Sequence, residues 1–305
     1  MLYKDFLTFW LENYVKPDTK FRTYLRYSQI VRIYVAEKVG EYDLSELTPI
    51  ILQTFIADML TNGNGRWGAD GLAPNTVNSI VSVLKNSLKT ACMLGCTDRQ
   101  LGDKIKRPKV RERKIECFSI REQRKIENAV LTSRKHKYFG VLLCLYTGLR
   151  IGEVVALKWN DIDLKKGMLS VNKTCYDTPE GLVFDDPKTV HSRRIIPLPR
   201  QIMPILREKR KTSKSDFVVS EKGKPVSVRS FQRSFELLLK RHRIEHRGFH
   251  SLRHTFATRA LESGMDVKTL SEILGHKNPS ITLSRYAHSF MEHKSAMMNR
   301  LGKLL

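Results

Sequence analysis

The sequence predicts a mainly α protein with a small antiparallel β-sheet, an α+β chain in two domains. Three observations carry this. Residues 1–100 place apolar side chains at helical spacing throughout. Between Met168 and Ile196 the period changes to short β-branched or apolar runs separated by turn formers. Helical spacing then returns from Ser227 onward. At 305 residues the chain is long for one domain. The mixed order of elements argues against a parallel α/β sheet, and no internal repeat is present.

In order, Leu2, Phe6, Phe9, Trp10 and Tyr14 recur at helical spacing, and Tyr24 to Val39 continues after Pro17-Asp18. Thr48-Pro49 opens a third helix that stops at Gly63. A fourth begins at Pro74, aligns Val77, Val81, Leu84, Leu88 and Ala91 on one stripe, and ends at Gly95. Its polar face, with Asn75, Asn78, Lys85 and Lys89, leaves room for a groove-facing helix. Residues 102–116 are dense in charge, contain Pro108 and lack an apolar period, so they predict an extended basic linker, with bounds set at 104–117. Ser119-Ile-Arg-Glu122 is a capping box opening the second domain, whose helices run to about Tyr146. After Gly148 comes a short amphipathic segment, Arg150 to Trp159. Met168–Val171, Gly181–Phe184 and Arg194–Ile196 then read as one small sheet, and Phe217–Ser220 with Val226 as a further hairpin. Ser227–His242, Ser251–Ser263, Val267–Leu274, Ser280–His288 and a tail from Phe290 complete the chain as helices.

The formal charge is +23, which calls for a polyanionic partner, nucleic acid first. It is uneven, about +4 over residues 1–110 and +19 over residues 111–305. Five cysteines without a signal peptide predict free thiols in a reducing cytoplasm. The longest apolar run, Val141 to Tyr146, is far shorter than the ~20 residues of a membrane span, so a soluble protein without a membrane partner is expected.

Four stretches carry groups suited to breaking a phosphodiester without a metal. That reaction needs a fixed positive clamp, an in-line nucleophile and a proton donor for the leaving oxygen. Thr147-Gly148-Leu149-Arg150 supplies a planar guanidinium, with Glu153 one turn on to hold it. In Pro187-Lys188-Thr189, the turn joining two predicted strands, Lys188 can serve as a proton donor; Ser192-Arg193-Arg194 follows. His250 and Arg253 share one face of a helix start. Leu274-Gly275-His276 leaves an imidazole on a loop, and Tyr286 follows about two turns into the next helix. A zinc reading of His250 and His254 fails because Ser251 stands where that motif requires Glu, and Cys92 and Cys96 lack a second pair at zinc spacing. Taken singly, each remaining group also has an ordinary structural explanation: an ion pair, a partly buried histidine, a core tyrosine, a solvated lysine.

Together, in this order, they resemble the tyrosine recombinases, also called the phage integrase family, over essentially the whole chain. The resemblance implies a helical, SAM-like core-binding DNA-binding domain at 1–103 and a catalytic domain with a C-terminal tail at 118–305. It implies that Arg150 and Arg253 clamp the scissile phosphate while Tyr286 attacks to form a 3′-phosphotyrosyl link. Lys188 would protonate the leaving 5′-oxygen, His250 would handle the nucleophile's proton, His276 would hydrogen-bond the phosphate, and Glu153 would support the site. No cofactor, metal or ATP is implied. The implied partners are double-stranded DNA at specific recombination sites and a homotetramer joined through the tail from Phe290 to Leu305, with room for an accessory directionality factor. The implied location is the bacterial cytoplasm, in association with the nucleoid. Other readings of the resemblance are a Xer-like resolvase of chromosome or plasmid dimers, a type IB topoisomerase, and a DNA-binding regulator that has lost the chemistry. Many integrases of mobile elements carry a further N-terminal domain for arm-type sites. Here the helices begin almost at Met1, so the expectation is an arm-less recombinase or a truncated chain.

Overall fold

The computed structural model describes residues 1–63, 70–97, 100–111, 116–133, 135–186, 192–276, 278–286 and 298–299. The chain divides into two compact units, Met1–Arg113 and Lys114–Leu305.

Among its described residues the first unit is built from helices, joined by turns and followed by an extended stretch from Ile105. Helix α1 (Tyr3–Trp10) runs through a π-helical turn (Leu11–Val15) into α2 (Lys16–Asp18). Likewise α3 (Phe21–Ile30) passes through a π turn (Val31–Val35) into α4 (Ala36–Lys38). In each π turn the wider spacing keeps residues four apart on the core side: Leu11 with Val15, and Val31 with Val35. Helix α5 (Pro49–Thr61) starts where the Thr48 hydroxyl accepts the Ile51 N–H at 3.2 Å and Pro49 occupies the first turn. Helix α6 (Pro74–Met93) is the central element and buries Val77, Val81, Leu84, Leu88 and Ala91. A short α7 (Leu101–Lys104) follows.

The segment expected to be a linker starts as part of this unit. Ile105 is in the core, and the Lys106 N–H bonds Gln53. The Arg107 guanidinium donates to Asn78 O and Ser82 Oγ, and Asn78 Nδ2 donates to Pro108 O at 3.1 Å. Part of the polar face of α6 is therefore occupied by its own chain. One apolar residue every few positions is too sparse a signal to reveal such docking when charges surround it.

The second unit opens with the capping box: Ser119 Oγ accepts the Glu122 N–H at 3.2 Å, and Glu122 accepts the Ser119 N–H at 2.8 Å. Helices α8 (Ile120–Leu131), α9 (Phe139–Thr147) and α10 (Ile151–Ala156) follow. The strands are β1 (Ile162–Asp163), β2 (Met168–Val171), β3 (Thr174–Thr178), β4 (Gly181–Asp185) and β5 (Arg194–Pro197). Helix α11 (Met203–Thr212) precedes the hairpin β6 (Ser220–Glu221) and β7 (Lys224–Pro225). Helices α12 (Val228–Arg241), α13 (His250–Glu262), α14 (Val267–Leu274) and α15 (Pro279–Tyr286) close the described fold.

The strands depart from the expected single sheet. They form a three-stranded antiparallel sheet in the order β1–β2–β5, with Leu169 opposite Ile162 and Ile196, and a separate hairpin β3–β4 with Cys175 opposite Phe184. The polar β3, Thr-Cys-Tyr-Asp-Thr, gave no apolar run, yet it buries Cys175 and Tyr176 and packs against α10. The strands on either side of Lys188 therefore pair in different sheets. Helix α11 was not expected either: its Arg-Glu-Lys-Arg-Lys run dilutes the stripe to Met203 and Leu206.

Candidate active site

The site is assembled at helix ends. The apolar α9 ends at Gly148, whose φ of 65° is left-handed. A Cβ there would lie 2.5 Å from Phe256 and 2.8 Å from Leu274, so the turn fits directly against α13 and α14. The chain then leaves extended through Leu149 and Arg150 and enters α10. Helix α14 ends the same way, at Gly275 with φ 64°, and the His276 N–H closes the turn on Ser271 O at 3.0 Å.

The two turns expose their last carbonyls towards each other, and the arginines fill the space between. The buried Arg253 donates to Gly148 O and to Leu274 O, both at 2.7 Å, and its Nη2 lies 2.9 Å from His276 Nε2. Arg150 donates to Gly275 O at 3.3 Å and to Glu153 Oε1 at 2.8 Å, while its own N–H bonds Glu153 Oε2 at 2.8 Å. A guanidinium has only donors, so His276 Nε2 accepts from Arg253 and the ring proton sits on Nδ1, which donates to Thr282 Oγ1 at 2.8 Å. That bond ties the loop to α15 one turn before Tyr286.

Glu153 is buried at 5% exposure and is not a surface ion-pair partner. Burial alone would raise its pKa, but hydrogen bonds and charge from Arg194, with Arg150 behind them, hold it down at about 2. Nearby Cys144 is driven the other way: burial first, then the Glu153 charge, raises its thiol well above the ordinary range, and its S–H donates to Leu149 O. It is a protonated core group and no nucleophile.

Of the residues singled out from sequence, Arg150, Glu153, Arg253 and His276 are thus brought together by one connected set of hydrogen bonds. His250 opens α13 one turn before Arg253, exposed, with its ring perpendicular to His254 at 4.6 Å between centroids. Tyr286 ends α15, and its side chain lies outside the described residues, as does Lys188. Two contributors escaped the sequence: Thr282, an ordinary helix-start residue, and Arg194, whose place after a charged loop gave no sign of burial.

The chain is similar to known proteins along its length. Residues 2–60 match the phage integrase N-terminal SAM-like domain. A tyrosine recombinase XerC-like protein of Caldanaerobacter subterraneus subsp. tengcongensis is 28% identical over 98% of this chain and 82% of its own length. The transposase from transposon Tn916 of Enterococcus faecalis is 25% identical over 96% and 76%. Among solved structures, the Tn1549 transposon integrase in complex with a circular intermediate DNA superposes with a TM-score of 0.83 at 22% identity, over 99% of each chain. A lambda integrase tetramer bound to a Holliday junction gives 0.69 at 18%, over 92% of this chain and 78% of the lambda chain. Because the phage integrase family model itself spans residues 120–293, more than half of the protein and all the turns described above, the chain belongs to the phage integrase family, the tyrosine recombinases.

Proposed function

We propose that this chain is a site-specific recombinase in which Arg150 and Arg253 clamp the scissile phosphate and Tyr286 is the nucleophile. The observation that carries the reading is the pair of facing helix ends, which sets two guanidinium groups side by side with His276 and ties His276 to the helix bearing Tyr286. In the step itself the Tyr286 oxygen attacks phosphorus and the bond to the 5′-oxygen breaks. His250 takes the phenol proton, and Lys188 gives a proton to the leaving oxygen. The product is a 3′-phosphotyrosyl link and a free 5′-hydroxyl. Attack by a 5′-hydroxyl from a second duplex reverses it, so the bond energy is conserved and no nucleotide is consumed. With phosphate in place Arg253 turns from His276 Nε2 to a phosphate oxygen, and His276, now in its Nε2–H tautomer with Nδ1 accepting from the Thr282 hydroxyl, donates to another; Glu153 keeps Arg150 aimed.

The partner is double-stranded DNA. Strand exchange between two duplexes needs paired sites, so a tetramer held through the tail from Phe290 is part of the proposal, and the lambda integrase tetramer on a Holliday junction supports it. An accessory directionality factor and association with the nucleoid belong to the same reading. The XerC-like and Tn916 likenesses both fit a strand-exchange enzyme; the reading kept is a mobile-element integrase, with a resolvase of the XerC kind as its alternative.

The test is a nicked suicide duplex carrying the recombination site, incubated with the protein in EDTA. A protease-sensitive covalent protein–DNA species is expected, and Tyr286→Phe abolishes it while leaving DNA binding intact. An adduct that persists in Tyr286→Phe, or one that forms only with added magnesium, overturns the mechanism.

A further inference from the structure

Arg194 opens β5 opposite Val171 and shares a face with the core residue Ile196, so a permanent charge points to the buried side of a sheet. Its side chain is only 6% exposed. Such a charge is costly to bury unless its donors are matched. Here they are. Nη2 and Nη1 grip Glu153 Oε2 and Oε1 at 2.9 and 3.1 Å, Nη1 also donates to Ser192 O at 3.1 Å, and Nε donates to Ile273 O at 2.6 Å. A two-pronged guanidinium–carboxylate pair fixes orientation as well as distance.

Those contacts reach both supports of the clamp. Glu153 holds Arg150, and Ile273 belongs to the helix end whose next two carbonyls, Leu274 O and Gly275 O, hold Arg253 and Arg150. Gly275 itself fits against Arg194: a Cβ at this position would come within 3.1 Å of its Cδ and Nη1. Arg194 is therefore held inward, away from any role as a proton donor to a leaving group, whereas its neighbour Arg193 is exposed and pairs with Asp186.

We infer that Arg194 is a positioning residue for strand cleavage: by locking Glu153 and the Ile273–Gly275 helix end to β5, it sets Arg150 and Arg253 in register before DNA arrives. The inference rests on the recombinase reading above. With Arg194 removed, Glu153 keeps, among the described residues, only Arg150 as a side-chain partner, and the α14 end loses the Ile273 O bond to β5, so both clamp arginines shift, and small displacements of reacting groups cost on the order of 100-fold in rate.

The experiment measures single-turnover adduct formation on the suicide duplex at saturating protein, alongside DNA affinity and thermal unfolding. Arg194→Ala is expected to slow cleavage about 100-fold with affinity unchanged. Arg194→Lys, which keeps the charge without the fork, falls between it and wild type. Adding Glu153→Gln to Arg194→Ala slows cleavage no further, because the two act as one unit. Folded Arg194→Ala cleaving at the wild-type rate, a defect confined to affinity, or fully additive losses would each overturn the inference. If Arg194→Ala does not fold, Arg194→Lys decides, and wild-type cleavage by that variant overturns it. Absence of adduct from the wild-type protein overturns the recombinase reading as well, so the two failures are distinguishable.

Discussion

A carboxylate as buried as Glu153 stays ionised only because two guanidinium groups surround it, and that gives the site a pH signature. Its pKa is depressed on folding, from an ordinary carboxyl value to about 2. Stability from such a group is complete above the unfolded carboxyl range near ~4.3 and is lost as pH falls towards the folded value. The contribution is on the order of 3 kcal/mol at neutral pH. The stability gap between wild type and Glu153→Gln, from urea unfolding, should therefore be widest at neutral pH and close progressively below about pH 4. A gap independent of pH would show that Arg194 and Arg150 do not act on an ionised Glu153. At this scale the sequence disclosed Arg150 and Glu153, because i, i+3 neighbours on a helix meet whatever the tertiary fold. Arg194, 41 residues from its partner, could be paired only by knowing how β5 packs.

Helix ends, more than helices, build this site, and glycine is what makes them tight. Gly148 and Gly167 adopt nearly the same left-handed backbone, φ 65° and 67°. They differ in surroundings: a Cβ at 148 would press on Phe256 and Leu274, whereas at 167 the nearest atom is Met203 Sδ at 3.8 Å. Alanine at either position pays ~1–2 kcal/mol for the backbone, and Gly148→Ala pays a further ~1–3 kcal/mol for overpacking. Urea unfolding should thus show Gly148→Ala as the more destabilised, with cleavage impaired as well, because the Gly148 carbonyl holds Arg253. Equal costs would mean that α13 and α14 yield without resistance. These turns were legible: Gly148 and Gly275 each follow an apolar run, and the capping box at Ser119 and the α14 bounds followed from local chemistry. The sheet was not, because β3 owes its strand state to packing on α10 and pairing with β4 and not to its own polar composition. The docking at the start of the expected linker is hidden for a related reason, since Lys106 and Arg107 are held by partners on α5 and α6 distant in sequence.

Charge is the property of the whole molecule that the sequence stated most directly, and it separates binding from chemistry. The excess of about +19 lies in residues 111–305, yet Arg150, Arg194 and Arg253 already bond acceptors within the fold. Most of the excess is thus carried by exposed lysines and arginines, whose attraction to phosphate is entropic, through released counterions, and falls with salt. The clamp is different: Arg253 is buried and the half-buried Arg150 is held by the buried Glu153, and buried or partly buried pairs are screened far less than exposed ones. Raising salt from 50 to 200 mM should weaken affinity for the site by roughly 10³–10⁵-fold if some 6–10 phosphates are neutralised. The single-turnover cleavage rate at saturating protein should change little over the same range. Filter binding and suicide-substrate kinetics on one preparation measure both. If cleavage at saturation falls as steeply as affinity, the phosphate is held by exposed, screened charges and not by Arg150 and Arg253 as the fold holds them. If affinity is indifferent to salt, the polyanion reading of the +23 charge fails.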